Sequence, residues 1–202
     1  MSISIRDVRE HELDSVLALN NAAGHTILPL DATQARFFFD HATYFRVAEV
    51  DGLLAGFLIA FDQDGPYQSS NYHWFRERYP AFVYIDRVVV ASSRRGAGLG
   101  RVFYADVQSF AEVRAPQLAC EVFLEPRNDV AVLFHGTYGF HEIGQQLMPE
   151  TKRRVSMLAK ELVSYPWVRE TYLRGPDATL PDVPWLTSRA RAPHTPHLAT
   201  GT

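Results

Sequence analysis

Residues 84–101 read YIDRVVVASSRRGAGLGR, an apolar run followed by a glycine-rich turn. The run predicts a strand over 82–90, and the apolar stripe after the turn predicts a helix. Glycines have no Cβ, so an anion can approach backbone N–H groups closely at the positive end of the helix dipole. Arg94, Arg95 and Arg101 add positive charge at the same place. The turn therefore predicts a site for a phosphate-bearing cofactor.

The spacing of the glycines narrows the choice of cofactor. The phosphate-binding loop of NTPases requires Lys-Ser or Lys-Thr after its last glycine, whereas Gly100 is followed by Arg101-Val102. The dinucleotide fingerprint requires G-x-G-x-x-G in a βαβ unit near the start of a domain, whereas Gly96, Gly98 and Gly100 alternate here. Neither an NTPase nor a dinucleotide-binding protein is favoured.

Two signatures, in the right order, resemble the GCN5-related N-acetyltransferase (GNAT) superfamily. The first is the pyrophosphate pattern of Arg or Gln, two residues, Gly, any residue, and Gly or Ala. It is matched here by Arg95, Gly98 and Gly100. The second, about thirty residues on, is an Asn followed by a helix that ends in Phe-Tyr and then Gly-Phe. The residues that correspond to it are Asn128, Ala131, Phe134, His135, Gly139 and Phe140.

The resemblance, which covers roughly residues 4–162, implies a fold class. It is α/β, with a mixed, mostly antiparallel central sheet flanked by helices, in which a splayed pair of parallel strands forms the acetyl-CoA cleft. We therefore expect a GNAT-like N-acetyltransferase domain over 1–162. Residues 163–202 hold six of the twelve prolines and are expected to form a C-terminal extension whose end is disordered.

Local patterns predict the individual elements of that fold. Asp51-Gly52 between two β-rich runs predicts a hairpin. Strands are predicted over 44–50, 53–61, 82–90, 118–124, 140–148 and 153–162. A further short strand is predicted from Ile3, Ile5 and Val8. Helices are predicted over 13–21, from an N-cap at Asp31 through Phe39, over 102–113 and over 129–138. Residues 62–80 break the pattern and predict a connection that is too long to be an ordinary loop.

The resemblance also implies where coenzyme A binds. Its pantetheine would follow the central strand, its pyrophosphate would lie on the amides of the turn, and the cofactor would pass Asn128 toward the next helix. The predicted cofactor residues are Val88, Val89, Val90, Arg95, Gly96, Ala97, Gly98, Leu99, Gly100, Arg101, Asn128 and Phe134. The family's usual oxyanion donor is the backbone N–H near Val88 or Val89.

The general acid is where this chain departs from the family. Many members have a tyrosine directly after the helix phenylalanine, where this chain has His135, and Tyr138 follows three residues later. A histidine that titrates near neutral pH could donate or accept a proton, so both residues are candidates. The alternative for His135 is a hydrogen-bonded structural role.

Asp86 and Glu121 are the candidates for the general base. Each lies within an apolar strand, where a carboxylate is costly unless it is paired or used, and burial would raise its pKa toward that of a base. The alternative is structural pairing, of Asp86 with Arg87 and of Glu121 with Arg127.

Composition excludes several other classes of protein. A net charge of −3 and a pI near 6.2 provide no basic field for nucleic acid or a membrane surface. A single cysteine, Cys120, allows no internal disulfide and fits the reducing cytoplasm; it is expected to be a small buried residue. The eight histidines include no pair at i, i+4 spacing backed by a Glu, as in a zinc protease, so we expect no metal. We also expect no signal peptide and no spanning helix.

The sequence thus predicts an N-acetyltransferase that uses acetyl-CoA as cosubstrate and acetylates a primary amine, on a small molecule or a peptide, in a ternary complex. A non-catalytic acyl-CoA-binding module and a transferase for longer acyl groups are the alternatives. Aromatic residues at 37–39 and 72–75 could line the acceptor pocket or pack in the core. Trp167, Tyr172 and Trp185 in the extension could form a homodimer contact.

Overall fold

A seven-stranded sheet is the centre of the protein in a computed structural model, which describes residues 2–24, 27–125, 127–175 and 180. The strands are β1 (Ile3–Asp7), β2 (Tyr44–Val50), β3 (Leu53–Asp62), β4 (Val83–Val90), β5 (Gln117–Phe123), β6 (His141–Leu147) and β7 (Arg154–Glu161). The α-helices are α1 (Leu13–Ala22), α2 (Ala32–His41), α3 (Ser70–Arg76), α4 (Leu99–Ala111), α5 (Asp129–Thr137) and α6 (Tyr165–Tyr172).

The order of the strands confirms the predicted fold. They follow the order β1-β2-β3-β4-β5-β7-β6, and every neighbouring pair is antiparallel except β4 and β5. The parallel pair is joined at two positions only, Val83 with Leu118 and Tyr84 with Ala119. Beyond these positions the two strands separate, as expected for a cofactor cleft.

Two apolar layers cover the two faces of this sheet. Successive residues at the start of β4 alternate between the layers: Tyr84 lies in one with Phe82, which precedes the strand, and Val83 and Ile85 lie in the other. Helix α4 packs in the layer of Val83, whereas α1, α2 and α3 pack in the layer of Tyr84. We call these the α4 face and the α3 face. Each fully buried large apolar side chain contributes about 1.5–3 kcal/mol to the stability of the folded state.

Most predicted elements are present, with bounds shifted by at most three residues. Helix α4 begins three residues before its predicted start because Gly98, at a φ of 84°, is its N-cap, and left-handed backbone of this kind favours glycine. Asp31 caps α2 as predicted, since its side chain accepts a hydrogen bond from the backbone N–H of Gln34 at 2.7 Å.

The connection over 62–80 contains a helix, α3, that the sequence pattern did not reveal. Two turns are too short for a clear 3.6-residue period, although Tyr72 and Phe75 lie on one face and are fully buried. The Tyr72 hydroxyl donates to the backbone carbonyl of Asp62 at 2.7 Å and ties the segment to the end of β3. This segment is therefore an ordered part of the fold.

The extension begins with the helix α6, which the prolines did not indicate. Pro166 lies in its first turn, where a missing N–H costs nothing. Trp167 is 61% exposed and contacts the ring of Tyr172. Trp185 and the predicted disordered end lie outside the described residues. Within the described ranges, no helix is both long enough and apolar enough to cross a membrane.

Gly56 holds β3 close to β4 and provides a test of this packing. A Cβ at Gly56 would lie 2.5 Å from the carbonyl oxygen of Val89 and 3.2 Å from Cε2 of Phe103. Gly56→Ala should therefore lower the free energy of unfolding by about 1–3 kcal/mol in urea titrations. Gly136→Ala in α5 is the control, because a Cβ at Gly136 would have no neighbouring atom within 4 Å. This change should raise the free energy of unfolding by about 0.5–1 kcal/mol. Equal stability of the two variants would contradict this account.

Candidate active site

A cleft of about 590 Å³ opens where β4 and β5 separate. Arg95 from the turn before α4, Gly100 from the first turn of α4, and Phe134 and His135 from α5 line one part of it. The connection after α1, the segment leading into α3 and the strand β5 line another part. The cleft therefore runs from the glycine turn into the middle of the sheet.

The glycine turn presents backbone N–H groups without intrahelical partners. The first hydrogen bond of α4 runs from the N–H of Val102 to the carbonyl oxygen of Gly98 at 3.2 Å, so the N–H groups of residues 99–101 have no acceptor within the helix. Gly96 and Gly98 have φ values of 80° and 84°, which turn the backbone sharply into the helix. An anion at this position would meet both the free N–H groups and the helix dipole.

Helix α5 packs against the same turn. A Cβ at Gly100 would lie 3.2 Å from the ring of Phe134. The absence of a side chain at Gly100 therefore allows this ring to pack against α4. Asn128 caps α5, its side chain accepting a hydrogen bond from the N–H of Ala131 at 3.1 Å. Seven of the predicted cofactor residues line the cleft: Val88, Val89, Val90, Arg95, Gly100, Asn128 and Phe134. The others, Gly96, Ala97, Gly98, Leu99 and Arg101, shape the turn beside it.

Asp86 occupies a β-bulge in the centre of β4. Ile59 pairs with Arg87 and Ala60 pairs with Ile85, so Asp86 is an extra residue without a partner on β3. Its carboxylate accepts hydrogen bonds from Nε of Arg87 at 2.6 Å and from the hydroxyl of Tyr67 at 2.5 Å. The side chains of Asp86 and Arg87 are only 5% and 7% exposed. The structural pairing considered for Asp86 is therefore present.

Arg87 also forms hydrogen bonds and a ring contact with residues outside β4. One terminal nitrogen donates to Oδ1 of Asn20 at 2.9 Å and to the carbonyl oxygen of Leu28 at 3.2 Å, and its guanidinium lies 5.1 Å from the ring centre of Phe38. Arg87 thus ties the connection after α1 to the bulge. The sequence did not assign this role to Arg87.

Glu121 lies in the cleft with neutral hydrogen-bond donors only. The hydroxyl of Tyr84 donates to one of its carboxylate oxygens at 2.7 Å, and the side-chain amide of Asn71 donates to the other at 2.9 Å. Arg127, the alternative partner considered for Glu121, pairs instead with Asp129. Burial, and next the charge of Asp86, raise the pKa of Glu121 to about 7, although its two hydrogen bonds and Arg87 oppose the shift.

Helix α3 supports Glu121 from the side of the β6–β7 hairpin. The side-chain amide of Gln146 on β6 donates to Asn71 at 2.9 Å, and Asn71 in turn donates to Glu121. The indole of Trp74 packs on Gly144, where a Cβ would lie 2.8 Å from Cζ2. Tyr67, Ser69 and Asn71 from this segment line the cleft, and the sequence pattern did not single them out as site residues.

His135 and Tyr104 form a hydrogen-bonded pair on the other face of the sheet. His135 Nδ1 lies 2.7 Å from the carbonyl oxygen of Ala131, and Nε2 lies 2.6 Å from the hydroxyl of Tyr104. Both residues line the cleft. Tyr138, the other candidate acid, packs against Phe134 and Tyr104 and does not contribute to the lining.

The remaining candidates have structural positions. Cys120 is buried and lines the cleft, and burial raises the pKa of its thiol well above the usual value, which disfavours a thiolate. Phe38, Tyr72 and Phe75 pack in the core. Among the described residues, no three His, Cys, Asp or Glu side chains come together in the manner of a metal site.

Comparisons with known proteins agree with this geometry. The sequence model of the acetyltransferase (GNAT) family matches residues 8–140. The chain belongs to this GNAT family. No curated protein matched the chain.

Solved structures share the GNAT fold at low sequence identity. A ribosomal-protein-alanine N-acetyltransferase from Brucella melitensis is 23% identical with a TM-score of 0.60, and the match covers 79% of this chain and 99% of that one. Chaetomium thermophilum Naa20 with a bisubstrate analogue is 18% identical, with a TM-score of 0.62 and coverages of 89% and 93%. Arabidopsis thaliana Naa50 with the analogue CoA-Ac-MVNAL is 16% identical, with a TM-score of 0.59 and coverages of 80% and 99%.

The raised pKa of Glu121 in this GNAT cleft predicts a pH dependence of stability. Because the folded state holds this proton more tightly than the unfolded state, stability contributed by Glu121 is present below about pH 4.5 and is lost as the pH rises through about 7. Relative to the wild type, Glu121→Gln should therefore become more stable across this range, by about 1–3 kcal/mol at pH 8.

Denaturant titrations at several pH values measure this difference directly. Glu161→Gln, at an exposed position at the end of β7, is the matched control and should follow the wild type at every pH. A constant difference between Glu121→Gln and the wild type from pH 4.5 to 8 would refute the shift.

Proposed function

We propose that the protein transfers an acetyl group from acetyl-CoA to a primary amine by direct attack in a ternary complex. The observation that carries this proposal is the position of Glu121, a carboxyl group with a pKa near 7, in a cleft that begins at the glycine turn. Membership of the GNAT family supports acyl transfer, and the finer assignment rests on the site.

The residues present fit coenzyme A. The free N–H groups of residues 99–101 and the charge of Arg95 suit a pyrophosphate, and Phe134 and Asn128 border the way into the cleft. The edge of β4 that faces β5 has no strand partner beyond Tyr84, so it offers amide groups to a pantetheine chain. The cosubstrate would supply an acetyl thioester, and Val88 or Val89 would provide the N–H for its carbonyl oxygen.

Glu121 is suited to remove the proton of the attacking amine. A pKa near 7 leaves a large fraction of the carboxylate ionised at neutral pH while keeping it basic enough to accept a proton. Tyr84 and Asn71 fix both of its oxygens, so the base is held in one orientation. Asp86 is held in its ion pair with Arg87, which leaves Glu121 as the carboxylate available for proton transfer.

The walls near Glu121 indicate the kind of amine. Ala23, Ile27, Leu28 and Met148 line the cleft and belong to the apolar layer of the α3 face, to which Glu121 also points. Arg87, in the same lining, is already paired with Asp86. An amine attached to an apolar group, without an anionic group beside it, complements these walls. Such an amine could belong to a small molecule or to the end of a peptide.

Binding of the cosubstrate tests the first half of the proposal. The double change of Gly98→Ala and Gly100→Ala should lower the affinity for acetyl-CoA at least tenfold by isothermal titration. The first change would disfavour the left-handed backbone of the turn, and the second would press a methyl group on Phe134. Gly52→Ala, at a φ of 79° in the β2–β3 turn, carries the same backbone penalty away from the cleft and should bind normally. Absence of acetyl-CoA binding by the wild type would end the proposal.

Turnover with a panel of amines tests the second half. Glu121→Gln should lower kcat by about 10²–10⁴-fold with little change in the affinity for acetyl-CoA, because general bases contribute that much. The panel contains apolar amines, amino acids, peptides and longer acyl donors. Tight binding of acetyl-CoA without turnover of any amine would instead favour a non-catalytic binding module, and preference for a longer acyl donor would correct the acyl group.

A further inference from the structure

The hydrogen bonds of His135 fix which of its nitrogens carries the proton. A backbone carbonyl only accepts hydrogen bonds, so Nδ1, at 2.7 Å from the oxygen of Ala131, must be the protonated nitrogen. Burial lowers the pKa of the ring, although the Ala131 hydrogen bond opposes the shift, so the imidazole is neutral. Nε2 then has a lone pair and accepts the hydroxyl proton of Tyr104 at 2.6 Å. In this tautomer His135 presents no proton to the cleft.

Tyr104 carries the proton that His135 lacks. Its ring is 2% exposed and is held by edge-to-face contacts with Phe134, Phe140 and His135. The phenol has a single O–H, which it donates to Nε2 of His135 in the absence of ligand. Because Nε2 accepts this hydrogen bond without removing the proton, the O–H can turn to a better acceptor. A sulfur that gains negative charge in the cleft would be such an acceptor.

The two faces of the sheet separate this hydroxyl from the base. Cys120 and Glu121 are neighbours on β5, so their side chains point to opposite faces. Cys120 lies in the apolar layer of α4, which contains Tyr104, whereas Glu121 is held by Asn71 of α3 on the opposite face. An amine deprotonated by Glu121 would therefore reach the thioester from the α3 face, and the sulfur would leave toward the α4 face, where Tyr104 lies.

We propose that Tyr104 of α4 is the group that donates a proton to the departing thiolate of coenzyme A, and that His135 is its positioning residue. This inference rests on the proposed acetyl transfer. In the step, the nitrogen–carbon bond forms, the carbon–sulfur bond breaks, Glu121 takes a proton of the amine, and the thiolate takes the phenolic proton of Tyr104. Glu121 then loses its proton to water and Tyr104 regains one from water as the products leave, so protons balance over the cycle.

The closing experiment compares Tyr104→Phe with Tyr138→Phe, using the amine that the panel identifies. Tyr138 belongs to the same aromatic cluster but does not line the cleft, so it is the matched control. Tyr104→Phe should lower kcat about 100-fold, leave the KM for acetyl-CoA within about twofold, and reduce the solvent isotope effect on kcat toward unity. Tyr138→Phe should resemble the wild type in all three measurements.

His135 provides an independent test if Tyr104→Phe does not fold. His135→Gln keeps an acceptor for the Tyr104 hydroxyl and a donor for Ala131, whereas His135→Leu keeps neither. Glutamine should retain at least tenfold more activity than leucine, and neither change should alter the pH at which Glu121 titrates in the rate profile. Equal activity of the two His135 variants would overturn the positioning role.

The failures of the two proposals are distinguishable. Wild-type kcat in Tyr104→Phe, together with a large loss in Glu121→Gln, would overturn the role of Tyr104 and leave the acetyltransferase proposal intact. A wild type that acetylates no amine would overturn both.

Discussion

The separation of β4 from β5 is the constraint on which the rest of the site depends. A strand in the interior of a sheet normally satisfies its backbone N–H and C=O groups on both sides, and leaving them unpaired in an apolar interior costs free energy. Here the ladder between the two strands ends at Tyr84 and Ala119. The backbone beyond that point is open to a ligand that carries amides, and the turn before α4 lies at the end of the same strand. One opening thus aligns a polar strand edge with the glycine turn.

Charge inside this opening is divided between two carboxylates with different partners. Asp86, at the bulge, has a cation within 2.6 Å and remains a stable ion pair. Glu121 receives hydrogen bonds from an amide and a phenol, which stabilise its charge less than a cation would. Arg87 also donates hydrogen bonds to Asn20 and to the backbone carbonyl of Leu28, so it is not available to Glu121 as a direct partner. The fixed ion pair therefore leaves the second carboxylate free to exchange a proton near neutral pH.

How much the sequence could predict depended on whether the signal was local. The strands, the hairpin at Asp51-Gly52 and the glycine turn are encoded by neighbouring residues, and all are present. Asn71 could not be assigned, because its partners Glu121 and Gln146 are distant in sequence and meet it only when α3 packs on the sheet. Tyr104 was hidden for a different reason: it falls on the apolar stripe of α4, where the pattern predicts a core residue. A tyrosine that lines a cleft cannot be told from a packed ring in such a stripe.

The pair of Tyr104 and His135 also bears on the departure of this chain from the family pattern at position 135. Gly100 lets Phe134 and its helix approach the first turn of α4 closely, and side chains of both helices line the cleft. Once the hydroxyl comes from α4, the position on α5 needs a side chain that accepts a hydrogen bond and holds its own proton elsewhere. Histidine meets both needs because the carbonyl of Ala131, one turn earlier, fixes the Nδ1 proton. Under the role proposed for Tyr104, the hydroxyl comes from a neighbouring helix and His135 orients it.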